Sequence, residues 1–153
     1  MWSLLVFLIL VAATAASGAL FPPGDWYAAL QKPVWTPPNW VFGPVWTMLY
    51  IAMAVAGWRV WRRAGNRFSP ALGVWAGQLL LNGLWSWLFF GLHRPDLALM
   101  DISGLLLLIV LFIIMARRHS TLAAWLFVPY AFWVAFAAVL NFALWRMNPI
   151  LAG

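Results

Sequence analysis

PALGVWAGQLLLNGLWSWLFF, residues 70–90, sets two amides among indoles, glycines and leucines. Ser69 in front of it and Pro70 at its head make a helix-start pair, and Gly91 behind it is a stop, so the run reads as one helix. Within it Trp75, Gln78, Asn82 and Trp85 recur at steps of three, four and three, which puts them on one side. Amides facing lipid would have no hydrogen-bond partners, so that side is expected to look into a bundle. Gly73 and Gly77 stand four apart on another side, roughly 100° or more away. Their G-x-x-x-G spacing permits close approach of a second helix, either of this chain or of another copy.

The surroundings of this run are equally apolar. Of 153 residues 66% are hydrophobic and 8% charged, and the mean hydropathy is +0.91. Soluble domains carry about 25% charged residues, so this chain lacks the polar surface that water requires. Lipid is the partner that its apolar area needs. The net charge of +6 does not point to nucleic acid. Its arginines stand in short groups between apolar runs, at Arg59, Arg62, Arg63 and Arg67 and at Arg117 and Arg118, where they anchor helix ends. There is no cysteine, hence no disulfide and no thiolate chemistry.

Four more runs resemble the first. Residues 2–20 carry no charge and, lacking a basic leader, read as a span rather than a cleaved signal. A second runs from Gly43-Pro44 to about Trp61, with proline suited to a first helical turn. Pro95 opens another that ends before Arg117, and the last covers about Leu122 to Trp145, with a bend expected at Pro129. The prediction is an all-α integral membrane protein, one domain over residues 1–153, built as a bundle of five transmembrane helices. With five crossings the two arginine-rich connections share a face with the N-terminus, and the opposite face holds Lys32, Arg94 and Arg146. The positive-inside rule puts the arginine side inside and residues 21–42 outside.

That first connection is long and unlike a solvated linker. Its end, QKPVWTPPNWVFGPVW (residues 31–46), holds three tryptophans and four prolines. Below it, Trp46, Tyr50 and Met53 form an aromatic stripe on the second span. Trp133, Ala137 and Asn141 stack at i, i+4 and i+8 on the last, where the alanine leaves a recess between larger side chains. Such stripes serve packing as readily as binding. Asp101 lies about two turns inside its helix, where a carboxylate costs roughly 3 kcal/mol. Either Arg146 neutralises it or it meets a ligand.

Conventional catalysis finds no support. The two histidines lie outside the spans and there is no glutamate, so no metal set, activated nucleophile or phosphate loop can be assembled. A pocket of indoles, amides and small residues under a stiff loop suits a flat apolar ligand.

WYAALQKPVWTPPNWVFGPVWTMLY, GQLLLNGLWSWLFFG and VPYAFWVAFAAVLNFALWRMN, in this order, resemble the TspO/MBR family. It comprises the tryptophan-rich sensory proteins of bacteria and the mitochondrial translocator protein. The W-x-P-P-x-W…P-x-W pattern is specific, and the resemblance covers nearly the whole chain. It implies a five-helix bundle, usually a homodimer, that needs no cofactor and binds porphyrins such as protoporphyrin IX, haem-related tetrapyrroles, sterols and synthetic ligands. By this resemblance Trp46 and Trp133 face the pocket and form the pair associated with light-dependent porphyrin breakdown. Ala137 is the small position beside the ligand, and Trp35, Pro37, Pro38 and Trp40 belong to the loop that closes the site. Asn82 and Trp85 match pocket residues, Asp101 matches the acidic residue of the fourth helix, and Gly73 with Gly77 match the dimer contact. Tyr50 and Asn141 complete the expected ligand set.

Two positions depart from the mitochondrial pattern. Phe142 replaces a tyrosine of the sterol-associated segment, and Leu97 replaces a pocket tryptophan. Phe142 and the short termini point to a bacterial cell membrane. The expected function is a porphyrin receptor or sensor. A porphyrin transporter and a light-dependent porphyrin-degrading enzyme using Trp46 and Trp133 are the alternatives. Five helices without an internal repeat do not split into the equal halves of ordinary alternating access.

Overall fold

The computed structural model describes residues 2–149; Met1 and residues 150–153, the ends of the expected 1–153 domain, lie outside the described residues. The helices are α1 (Trp2–Leu20), α2 (Asp25–Ala29), α3 (Asn39–Arg63), α4 (Pro70–Ser86), α5 (Pro95–Ala116) and α6 (Thr121–Met147). A π-helical turn, Trp87–Gly91, follows α4 directly.

The sequence predicts five membrane-length helices, and the structure corrects this to four among the described residues: α1, α3, α5 and α6. The exception is the run at 70–90. Its α-helical part ends at Ser86 after 17 residues, about 25 Å of rise against about 30 Å of hydrocarbon. Beyond it the backbone widens: the Leu92 N–H donates to the Trp87 carbonyl at 2.8 Å and the Arg94 N–H to the Leu88 carbonyl at 3.0 Å. The wider turn lets consecutive rings pack about one indole. Phe89 stacks on Trp85 at 4.9 Å and 19°, while Phe90 meets it edge-on at 5.7 Å and 90°. Hydropathy reads such a run as one uniform helix, because a change of hydrogen-bond step leaves no mark on polarity.

Two smaller differences concern the ends of the first connection. Helix α3 begins at Asn39, so Pro44 lies inside it rather than in its first turn. The connection before it is not irregular throughout, since α2 occupies Asp25–Ala29. At the other connections the caps follow from the residues: Pro70 and Pro95 open α4 and α5, and the Ser120 Oγ accepts from the Ala123 N–H at 3.3 Å at the start of α6.

Helix α5 packs between α4 and α6, and α1 lies across α3 and α4. The stripe on α4 does face inward, with Trp75, Gln78 and Asn82 all buried. The Trp75 indole reaches across to donate to the Met53 carbonyl at 2.9 Å. Gly57 makes room for it, since a Cβ there would fall 2.5 Å from Trp75 Cε2 and 2.9 Å from Phe7 Cδ1. One large core joins α1, α3, α4, α5 and α6. A smaller one gathers Tyr27, Leu30, Leu88, Phe89, Ala98, Leu140 and Leu144 under the first connection.

Hydrogen bonds define the two ends of the bundle. The Arg59 Nε donates to the Ser120 Oγ at 3.3 Å, and the Trp58 indole to the Ser3 Oγ at 3.0 Å, so both arginine-rich connections and the start of α1 share one end. At the opposite end Asn148 pairs with the backbone of Gln31, accepting its N–H at 2.8 Å and donating to its carbonyl at 2.9 Å. Trp26 stacks on His93 there at 4.4 Å.

Candidate functional site

Beneath α2, at the end away from the arginines, the helices surround a partly open cavity of about 570 Å3. Helix α3 contributes Phe42, Trp46 and Tyr50, and α6 contributes Trp133, Ala137 and Asn141. Asn82 and Trp85 face it from α4, and the π turn adds Phe89 and Phe90. Ile102 and Leu105 of α5, Gly18 of α1 and Tyr27 of α2 line other sides. Tyr27 is itself held from outside, with the Lys32 ammonium 4.6 Å over its ring. Burial pushes its phenol pKa up, because a phenolate there would lose its hydration.

The polar groups of the wall are fixed by neighbours. The Trp85 indole donates to the Asn141 Oδ1 at 3.0 Å, and the Asn141 Nδ2 donates to the Pro95 carbonyl at 2.8 Å. The Tyr50 hydroxyl donates to the Asn82 Oδ1 at 3.0 Å. Behind it the Asn82 Nδ2 donates to the Tyr130 hydroxyl at 2.8 Å, which donates to the Gln78 Oε1 at 2.9 Å. The Trp46 ring stacks against Tyr50 at 5.4 Å, and Trp133 meets Phe42 edge-on at 5.6 Å. The Trp133 indole N–H is buried and has no acceptor among the described residues.

Seven of the residues singled out from sequence thus line one space: Trp46, Tyr50, Asn82, Trp85, Trp133, Ala137 and Asn141. Five others do not. Trp35 packs on Phe136 at 5.8 Å, outside the wall. Pro37 is half-buried, Pro38 is exposed, and Trp40 is 75% exposed on the first turn of α3. Asp101 is buried but is not part of the cavity wall, and neither carboxyl oxygen has a partner among the described residues. The anticipated pairing with Arg146 is not made: the ion pair among the described residues joins Arg94 and Asp96, and Arg146 is exposed. Gly73 and Gly77 lie away from the cavity, Gly77 against Leu108 of α5. Among the described residues no three of His, Asp and Glu come together as metal ligands.

The model of the TspO/MBR family matches residues 4–146. The chain belongs to the TspO/MBR family. Protein CrtK of Rhodobacter capsulatus is 41% identical over 152 residues, covering 94% of this chain and 91% of its own. The tryptophan-rich sensory protein of Cereibacter sphaeroides is 40% identical over 96% of this chain and 92% of its own. The human translocator protein is 41% identical over 86% of this chain and 81% of its own.

Some wall residues of this TspO/MBR chain escape sequence reasoning. Phe42, Phe89, Phe90 and Tyr27 lie in runs so rich in rings that nothing separates wall from packing. For Phe89 and Phe90 the π turn sets their direction, and for Tyr27 the short helix α2. Gln78 carried a signal, an amide in an apolar span, but its link to Tyr130 depends on how α4 and α6 meet.

Proposed function

We propose that this multi-pass membrane protein is a receptor that binds protoporphyrin IX or a related tetrapyrrole in the cavity under the first connection. The observation that supports this most directly is the cavity itself, walled by Trp46, Trp85 and Trp133 from three different helices. Indole faces attract a flat conjugated ring by dispersion and offset stacking, and a mostly apolar wall keeps water from competing. The name of the Cereibacter sphaeroides relative, tryptophan-rich sensory protein, agrees with a sensing role. Adding protoporphyrin IX to the purified protein in detergent is expected to shift the Soret band and quench tryptophan fluorescence. Trp46→Phe combined with Trp133→Phe is expected to weaken binding at least tenfold; unchanged titrations would place the ligand elsewhere.

A second reading rests on Trp46 and Trp133 walling the same space. Under light a bound porphyrin in an excited state takes an electron from an adjacent indole, with oxygen as the terminal oxidant, so the pair would support porphyrin breakdown. Loss of more than one porphyrin per chain under illumination in air would establish turnover, and a yield capped at one would reduce it to photodamage. Ligand-driven uptake into sealed vesicles holding only this protein would instead favour a porphyrin transporter.

The same proposal extends to setting and assembly. The arginine-rich end faces the inside of a bacterial cell membrane, by the positive-inside rule. A homodimer forms through the Gly73 and Gly77 side of α4, which leaves each cavity within its own protomer.

A further inference from the structure

Four side chains run in file from the cavity wall into the core: Tyr50, Asn82, Tyr130 and Gln78. Tyr50 and Asn82 line the cavity, whereas Tyr130 and Gln78 are fully buried behind it. Every proton along this file of side chains points inward. The Tyr50 hydroxyl donates to Asn82, the Asn82 amide to Tyr130, and the Tyr130 hydroxyl to the Gln78 Oε1. The Gln78 Nε2 is buried with no partner among the described residues.

That orphan amide is informative. An amide presents a donor and an acceptor of nearly the same shape, so Asn82 and Gln78 can each turn over without displacing a neighbour. With both turned, the Gln78 Nε2 donates to Tyr130, Tyr130 to Asn82 and Asn82 to Tyr50. The number of hydrogen bonds is the same, and one Gln78 atom is again unpaired, now the oxygen. The two directions therefore match in count, and no charge or proton leaves the chain in passing between them. They differ at the cavity. In the first, the Tyr50 hydroxyl spends its proton inward and offers a lone pair to a ligand. In the second, it is free to donate.

We propose that Tyr50, Asn82, Tyr130 and Gln78 form a reversible hydrogen-bond relay that lets the cavity accept either a ligand N–H or a ligand carbonyl at Tyr50. This rests on the reading of the cavity as a ligand site and adds the rule by which that site treats ligand polarity. Gln78 is a positioning residue in it, acting on the ligand only through Tyr130 and Asn82. A site with a fixed donor or acceptor rejects the mismatched ligand, because a buried polar group is left unpaired. A relay that reverses avoids that penalty for both.

Three flat tricyclic probes separate the cases: carbazole, whose N–H donates; 9-fluorenone, whose carbonyl accepts; and fluorene, which does neither. Binding is read by tryptophan quenching on the full chain in detergent. The wild type is expected to prefer both carbazole and fluorenone to fluorene, and to bind the two within about threefold of each other. Gln78→Leu removes the inner acceptor, so the Tyr130 proton must turn to Asn82 and the relay is held in the outward direction. Its carbazole-to-fluorenone ratio is expected to shift at least fivefold toward fluorenone, while fluorene binding stays unchanged. Tyr50→Phe is expected to reduce both polar probes to the fluorene level, and Gln78→Leu on that background to move nothing further. A ratio unaltered by Gln78→Leu, or Tyr50→Phe weakening only one polar probe, overturns the relay while leaving the cavity reading standing. Failure of all three probes to bind the wild type overturns both. Because a ratio of two ligands is read on one preparation, general destabilisation cannot mimic the expected shift.

Discussion

Asn141 shows how one side chain on α6 serves two others. It is 1% exposed, accepts the Trp85 indole N–H and donates to the Pro95 carbonyl. It thereby sets the rotation of a wall indole and ties the start of α5 to α6. Replacing it by leucine keeps the volume but leaves the Trp85 N–H unpaired, a loss of about 1–3 kcal/mol. Asn141→Leu is expected to lower the thermal midpoint in detergent and to weaken porphyrin binding more than fluorene binding; an unchanged midpoint would show that Trp85 finds another acceptor. The residue was legible in sequence as an amide on a stripe with Trp133 and Ala137. Its partners were not, because Trp85 lies 56 residues away and which indole meets which amide is decided by helix packing. Asp101 shows the opposite outcome. Its cost inside the helix was plain from sequence, but that it would be buried without joining the cavity wall was not.

At the scale of elements, hydrophobic runs and proline-led starts were enough to find α1, α5 and α6 within a few residues. They failed where backbone geometry changes without a change of polarity, at the π turn after α4, and where a short helix is held by its neighbours, at α2. Glycines carry a similar lesson. Gly57 has no special pattern around it, yet Trp75 of α4 and Phe7 of α1 both lie inside the reach of a single methyl group there. The Trp75 ring cannot simply retreat, because its N–H is anchored on the Met53 carbonyl. Gly57→Ala is therefore expected to cost about 1–3 kcal/mol through overpacking. Differential scanning fluorimetry against Gly24→Ala, where an added Cβ meets nothing within 4 Å, provides the comparison; equal midpoints would mean that α1 gives way freely.

For the whole molecule, the two ends differ in chemistry as well as in contacts. One carries Arg62, Arg63, Arg67, Arg117 and Arg118, and the other the tryptophan-rich connection pinned by Asn148. The absence of cysteine allows single-cysteine labelling without background. In sealed inverted vesicles a membrane-impermeant maleimide is expected to label Arg67→Cys at once and Val34→Cys only after permeabilisation; the reverse order would invert the proposed orientation. Assembly is tested on the outer side of α4. An apolar surface there does not by itself drive association in lipid, since the tails are equally apolar; close packing of small residues must do so. Gly77 is already engaged, because a Cβ on it would press on Leu108 at 3.3 Å, and leucine there would disturb α4 against α5 within one chain. Gly73 is the cleaner probe, as its Cβ would meet only the outer edge of Phe68 at 3.4 Å, and that ring is 78% exposed and free to swing. Gly73→Leu is expected to shift crosslinked dimer toward monomer in liposomes while porphyrin titrations stay within about twofold, because the cavity wall of α4 begins at Asn82 on another side. A variant that stays dimeric would remove α4 from the interface. Loss of dimer and ligand together would mean that the cavity depends on the partner, against a site enclosed by one chain.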